Sequence, residues 1–277
     1  MVQEVLFYPL YNDIMAKHIF GYQGRVKFLS HFLEDFFDLD SGTLKDIEIL
    51  NSVKLDKYNI HDKGLELDIL VKFSDGSMLN LEFYSKYGRI AEIKSFVYIT
   101  HYFRKDLRSG DEYDKVKKMT QINIVKENRM HKTSELVSEY LVINKNDVND
   151  KMLPDLFQIY IFDLDMKCER CYNKNERLIK WQNMFNAVSE EEMKEAIKDD
   201  EIMEEIYDEM KSFSKNEWAF EFFNREEFIK AAAAYDARED NNIEIARNLI
   251  SLGISVEDIS KATNLSLELI NNLKNEE

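Results

Sequence analysis

Asp68 and Glu82, with Lys86 four residues further on, are the residues of this 277-residue sequence best spaced to do chemistry. Each acid lies in a segment of alternating apolar residues. In the first, Leu65, Leu67, Ile69, Val71 and Phe73 alternate with Glu66, Asp68, Leu70 and Lys72. In the second, Leu79, Leu81 and Phe83 alternate with Met78, Asn80, Glu82 and Tyr84. The pattern predicts two half-buried strands joined by a tight turn. Both apolar faces must point the same way, so Ile69 is expected opposite Leu81, which sets Asp68 directly across from Glu82. That register needs a loop of odd length. Ser74-Asp75-Gly76 supplies one, with Gly76 in the left-handed position, whereas a two-residue turn at Asp75-Gly76 would send the acids to opposite faces.

Opposed carboxylates repel one another unless a cation compensates. A hard divalent ion would do so: Mg²⁺ takes a few carboxylate oxygens together with water and phosphate, and such an ion can activate water against a phosphodiester. Lys86 shares a strand face with Glu82 and Tyr84, because side chains alternate along a strand. The competing reading is a plain polar sheet face on which Lys72 or Lys86 neutralises the acids.

The surrounding pattern says what must hold these strands. Phe28, Leu29, Phe32, Leu33, Phe36 and Phe37 recur at spacings of three and four and predict an amphipathic helix within residues 12–39, ended by Asp40-Ser41-Gly42. A helix is expected from about Arg89 to Ser109, with Ile90, Ile93, Val97 and Leu107 facing inward. Further strands are expected at Met119–Val125 and Leu156–Leu164. Beyond Cys171 the pattern is helical almost to the end. A change of character near residues 165–178 suggests a domain over 1–170 and an acidic helical region over 171–277.

The hydrophobic fraction of 44% and charged fraction of 32% predict a buried core under a charged surface. No apolar run reaches the roughly 18 residues of a membrane span. The first residues lack a signal-peptide pattern and two cysteines exclude a disulfide scaffold, so a cytoplasmic location is expected. The net charge of −16 argues at first against a nucleic-acid partner. Its distribution is uneven: residues 1–150 carry −3, residues 151–277 carry −13, and Lys86 to Lys132 holds 12 basic against 6 acidic residues. A local basic surface on an acidic protein is thus allowed.

Other features carry less. Cys168-Glu169-Arg170-Cys171 has no second pair to complete a zinc site. His18, His31, His61, His101 and His131 show no metal-ligand spacing with one another. The aromatic segment Phe213, Trp218, Phe220, Phe222, Phe223 and Phe228 suits core packing or an interface better than base stacking. Ser255 with Asp258 marks a helix N-terminus, and Ser266 another. Ile243, Ile245, Leu249, Ile250, Ile254, Ile259, Leu265, Leu269 and Ile270 are too many apolar residues for a solvated tail. They are expected to pack on the helical half or on a second copy, making a homodimer or an autoinhibitory contact.

Several short motifs in order resemble the recombination-promoting nuclease and transposase family of the PD-(D/E)XK nuclease superfamily. Asn12-Asp13 followed by Lys17, Ile19, Phe20 and Gly21 is similar to its opening motif, although Ala16 replaces a usual Phe. Leu67-Asp68-Ile69-Leu70-Val71 and Leu79-Asn80-Leu81-Glu82 are similar to its acid-bearing strands. Lys94 and Tyr98 match the basic and aromatic positions of the next helix. Gly110, Tyr113, Ile122-Asn123-Ile124, Trp181 and the tail Ile254–Ser260 with Leu265-Ser266 also fit.

The resemblance implies an α/β, restriction-endonuclease-like core, a mixed sheet flanked by helices, followed by an α-helical C-terminal region. It implies metal-dependent DNA cleavage, with Asp68, Glu82 and the Phe83 carbonyl holding Mg²⁺ or Mn²⁺; Lys94, Tyr98, Arg104 and Lys105 are the expected DNA contacts. One departure stands out. Two residues after the Glu the family has Gln, and the wider superfamily Lys; here stands Tyr84. A tyrosine can position water or phosphate but supplies no cation at pH 7. Lys86 is the expected replacement. If it fails, the chain is a silent DNA-binding or regulatory member of the family.

Overall fold

A computed structural model describes residues 8–50, 54–55, 65–66, 68–107, 110–128, 130, 135–153, 156–167, 175–215, 242–263, 265 and 267–275. Ten strands are described: β1 (Glu48–Ile49), β2 (Lys54–Leu55), β3 (Leu65–Glu66), β4 (Ile69–Lys72), β5 (Met78–Tyr84), β6 (Met119–Val125), β7 (Val137–Tyr140), β8 (Val142–Asn144), β9 (Asp147–Met152) and β10 (Phe157–Asp163). Six form one sheet in the order β1-β4-β5-β6-β10-β7, while β2-β3 and β8-β9 form small separate ribbons. β5, β6 and β10 run parallel, and β4 and β7 pair antiparallel to that centre. This mixed sheet flanked by helices is the architecture the sequence motifs imply.

Helices cover both faces, which corrects the expectation of half-buried strands. All seven residues of β6 are buried, as in other parallel strands sandwiched between helices. One face meets α2 (Val26–Phe36) and α4 (Glu176–Asn186), and α1 (Asp13–Phe20), α5 (Glu190–Ala196) and α6 (Glu201–Ser214) pack against these helices. Its centre is aromatic: Phe32 meets Trp181 and Phe185 edge-on at 5.1 and 5.9 Å, and Phe162 and Phe83 reach Phe185 at 6.2 Å. The opposite face lies under α3 (Arg89–Asp106), where Tyr98 and Ile99 pack on Leu70, Met78 and Met119.

The inward side of α3 is Ala91, Ser95, Tyr98 and Ile99, and not the Ile90, Ile93 and Val97 expected from spacing, which are exposed. The helix is apolar on two sides, so periodicity alone does not choose between them. The small Ala91 and Ser95 let its backbone approach the sheet.

The chain forms two compact units, Met1–Lys215 and Asn216–Glu277. Helices α4 to α6 belong to the first of these, so the change of composition near residue 170 falls inside that unit. In the second unit, a helix over 242–251 (α7), α8 (Val256–Thr263) and α9 (Leu267–Asn275) build a core of their own from Ala246, Ile259, Leu265, Ile270 and Leu273. Of the apolar tail residues, Ile259, Leu265 and Ile270 pack together with Ile243, Leu249 and Ile250 against them, while Ile245 and Ile254 are exposed. Ser255 caps α8 through the Asp258 N–H at 3.2 Å, as expected. The Cys168–Cys171 motif, Ser266 and the aromatic segment beyond Lys215 lie outside the described residues. Among the described residues no helix is long and apolar enough to cross a membrane.

Candidate active site

The turn between β4 and β5 has the odd loop that the acids require. The Phe73 N–H donates to the Ser77 carbonyl at 2.9 Å and the Gly76 N–H to the Phe73 carbonyl at 3.0 Å. Gly76 sits at φ 84°, a left-handed conformation that side chains resist. Ile69 pairs with Leu81 and Leu70 with Asn80. Asp68, one residue before β4, therefore comes level with Glu82.

The two acids are tied to each other's backbone. The Asp68 N–H donates to Glu82 Oε1 at 3.1 Å, and the Phe83 N–H donates to Asp68 Oδ2 at 3.1 Å. Each carboxylate is left with one oxygen facing a lysine: Lys17 Nζ is 3.0 Å from Asp68 Oδ1, and Lys94 Nζ is 3.3 Å from Glu82 Oε2. Glu82 is only 1% exposed. Burial, then the Asp68 charge, push its carboxyl pKa up, while Lys94 and the Asn80 amide pull it back. Burial alone would lower the Lys94 pKa, but Glu82 and Tyr98 outweigh it and raise it, so Lys94 is a cation at neutral pH.

Lys94 also lies beside Tyr84. Its ammonium lies 5.7 Å from the Tyr84 ring centroid and 5.2 Å from that of Tyr98, within cation–π range of both. The strand position where a Lys or Gln was expected instead supplies an aromatic face to a lysine delivered by α3. The Tyr84 hydroxyl is buried without a hydrogen-bond partner among the described residues, and burial raises its pKa, so the phenol stays neutral. An unpaired buried hydroxyl costs about 1–3 kcal/mol. Tyr84→Phe keeps the ring and drops that cost, so chemical denaturation should show a gain of about 1 kcal/mol. A loss of stability would show that the hydroxyl has a partner.

The other sequence candidates divide. Lys86 lies beyond the end of β5 in an exposed bend, and among the described residues no ion pair joins it to either acid. Tyr98 is buried and bonded to Lys94, so its ring supports the lysine and is closed to a base. Arg104 is exposed; the side chain of Lys105 lies outside the description. The Phe83 carbonyl shares the strand edge of the Phe83 N–H, on the Asp68 side, because both groups of an extended residue point to one neighbour.

Sequence reasoning missed two parts of the site. One is Lys17 as a partner of Asp68. The other is a buried ladder behind Glu82. Asn80 Nδ2 donates to Glu82 Oε1 at 3.2 Å and to Gln121 Oε1 at 2.9 Å. Gln121 Nε2 donates to Asn123 Oδ1 at 2.9 Å, which also accepts the Ser95 hydroxyl at 3.1 Å, and Asn123 Nδ2 donates to the Tyr160 carbonyl at 3.3 Å. All four side chains are buried. The available signal was polar Gln121 and Asn123 alternating inside an otherwise apolar strand.

A second cluster, His31, Asp35 and Asp200, brings potential metal-ligand atoms within 4.8 Å of one another. Its groups already answer each other. His31 Nε2 lies 3.0 Å from Asp200 Oδ2, Trp181 Nε1 donates to Asp35 Oδ2 at 2.8 Å, and Arg177 sits 3.1 Å from Asp35 Oδ1. Burial would lower the His31 pKa, but Asp200, Asp35 and Glu34 outweigh it and raise it. The cluster is an ion-pair clamp joining α2, α4 and α6.

The facing acids at the ends of β4 and β5, flanked by a basic helix, are an arrangement of hard oxygens and cations suited to phosphodiester chemistry. No curated protein matches the sequence. The family model for PD-(D/E)XK nuclease family transposases matches residues 10–237. That span holds α1 with Lys17, both acid strands and α3 with Lys94, and the chain belongs to this family.

Proposed function

We propose that the protein is a DNA endonuclease dependent on Mg²⁺ or Mn²⁺ that hydrolyses phosphodiester bonds in recombination or in the movement of mobile elements. The observation that carries this reading is the pairing of two acids, each with one oxygen fixed by the other's backbone and one oxygen left for a cation. Asp68, Glu82 and the Phe83 carbonyl offer the hard oxygen donors that Mg²⁺ and Mn²⁺ prefer. An ion held there supplies Lewis-acid chemistry and a nucleophile at neutral pH. Lys94, held between two rings and the Glu82 carboxylate, takes the task of the lysine missing from the strand: it stabilises negative charge on the phosphate in transit. Arg104 and Lys105 extend the same helix as backbone contacts for DNA.

A nicking assay on supercoiled plasmid with and without divalent ion tests the reading. Turnover should need the ion and stop with a chelator. Lys94→Met should cut about 10²–10³-fold more slowly, the effect of removing one transition-state donor. Lys86→Met should stay within about threefold of wild type, since an exposed side chain with no partner among the described residues contributes little. Salt-sensitive DNA binding with no metal-dependent turnover would instead identify the silent, DNA-binding member of the family.

A further inference from the structure

We infer that the outward ridge of α3 is an apolar wedge that meets the bases of DNA at the cut, so that the substrate is DNA with unpaired or easily opened bases there. The inference rests on the nuclease reading above.

Ile90, Ile93 and Val97 stand on the outer side of α3 with 82%, 53% and 39% of their surfaces exposed. The helix cannot roll to bury them. Tyr98 and Ile99 are fixed on Leu70, Met78 and Met119, and the Ser95 hydroxyl is bonded across to Asn123 Oδ1 of the sheet at 3.1 Å. Three large aliphatic side chains held outward on one helix mark a surface that meets a partner. Lys94 stands among them. It follows Ile90 by four residues and precedes Val97 by three, the spacings of neighbours on one helix face. A phosphate that reaches the Lys94 ammonium therefore brings its own nucleotides over these side chains. Ile90 to Val97 spans about 10 Å of helix axis, the rise of about three nucleotides.

Charge selects the occupant. The ridge lies within Lys86 to Lys132, which carries 12 basic against 6 acidic residues in a chain of net charge −16. Among the described side chains of α3 the exposed charges are Arg89 and Arg104, and the acid Glu92 is partly buried. A second copy laid along the ridge would set arginine against arginine in either direction, which like charges oppose. A DNA strand is anionic and carries apolar planes, so it suits both the cations and the aliphatic side chains. In a closed duplex those planes are stacked, and a helix lying along the strand meets sugar and phosphate. Where the strand is opened they become available, as when an apolar wedge parts a base step. The border of the ridge is aromatic: Phe96 is exposed, braced edge-on by Phe157 at 6.3 Å, and offers a ring to a freed base.

Fluorescence anisotropy on the full chain tests this, with a chelator present so that nothing is cut. Wild-type protein should bind a short duplex with two unpaired bases at its centre about tenfold more tightly than the same duplex fully paired, the factor that opening one base step is worth. Ile90→Ser/Ile93→Ser/Val97→Ser should lose that preference and keep the salt slope, since no phosphate contact is removed. Serine is close to isoleucine and valine in helix propensity and the positions are exposed, so the fold should hold. Ile90→Gln/Ile93→Gln repeats the measurement should the triple variant fold poorly. Val188→Ser, which removes an exposed aliphatic side chain just before α5, should behave as wild type. Equal wild-type affinity for the two DNAs, or a triple variant with the preference intact, overturns the wedge while the nicking assay leaves the nuclease reading standing. So does sedimentation in which wild type is a dimer and the triple variant a monomer, which would give the ridge to a second copy. Wild-type protein that neither binds DNA nor nicks plasmid with a divalent ion overturns the nuclease reading and this inference together.

Discussion

Asp68→Ala protein should remain folded and cut DNA at least about 10³-fold more slowly than wild type in saturating Mg²⁺. The substitution removes one of the two carboxylates that face each other, and with it the proposed oxygen donor and the counterion of Lys17. Its structural cost is small. The partners left behind are a one-third-exposed lysine, which solvates, and the Phe83 N–H, whose lost bond costs about 1 kcal/mol. Glu82 makes a poorer probe, because it is buried and holds Asp68, Asn80 and Lys94 at once. The measurement is a nicking rate beside circular dichroism and Mn²⁺ binding on the same preparation. A folded Asp68→Ala enzyme cutting at the wild-type rate would place the chemistry elsewhere.

The second large effect concerns stability. Asp35→Ala should lower the unfolding free energy by about 3–5 kcal/mol, because breaking a buried pair strands the partners it compensated. Asp35 is buried, and three groups depend on it: the Trp181 N–H, Arg177 and His31. Each sits on α2 or α4, the helices that cover one face of the sheet. Glu205→Ala breaks an ion pair with Lys27 in which both side chains are about half exposed, and should cost less than about 1 kcal/mol. Urea denaturation of the two variants side by side separates the cases. Equal, small losses would mean that solvent reaches the clamp and screens it.

The acid hairpin was legible because three local constraints agreed: two alternating apolar faces, a three-residue loop and a glycine at its left-handed position. The helix after it was legible as a helix but not in its orientation, because Ile90, Ile93 and Val97 match a buried stripe as well as Ala91, Ser95 and Tyr98 do. Tertiary packing made the choice. The lysines that pair with the two acids were hidden for a related reason. Strand parity points to Lys86, but a side chain reaching the acids from α1 or α3 obeys no strand parity, and its arrival depends on how helices cross the sheet. Lys17 is 51 residues from Asp68 in the chain, and nothing in its neighbours announces a charged partner. The buried ladder escaped because Asn80 reads as the solvent side of a half-buried strand, a side that α3 covers, and no local pattern joins it to Gln121 and Asn123 on another strand.

That ladder also carries a trade between stability and placement of charge. The Tyr160 carbonyl and the Ser95 hydroxyl fix which way the Asn123 amide faces, Asn123 fixes Gln121, and Gln121 fixes Asn80. The end of the sequence is an N–H turned toward Glu82 and a carbonyl, Asn80 Oδ1, buried with no partner among the described residues. An unsatisfied acceptor of that kind weakens a fold, and an apolar residue of similar volume would avoid it. The protein keeps the weaker arrangement, and by it a backbone carbonyl two strands away dictates that the buried carboxylate always meets a donor.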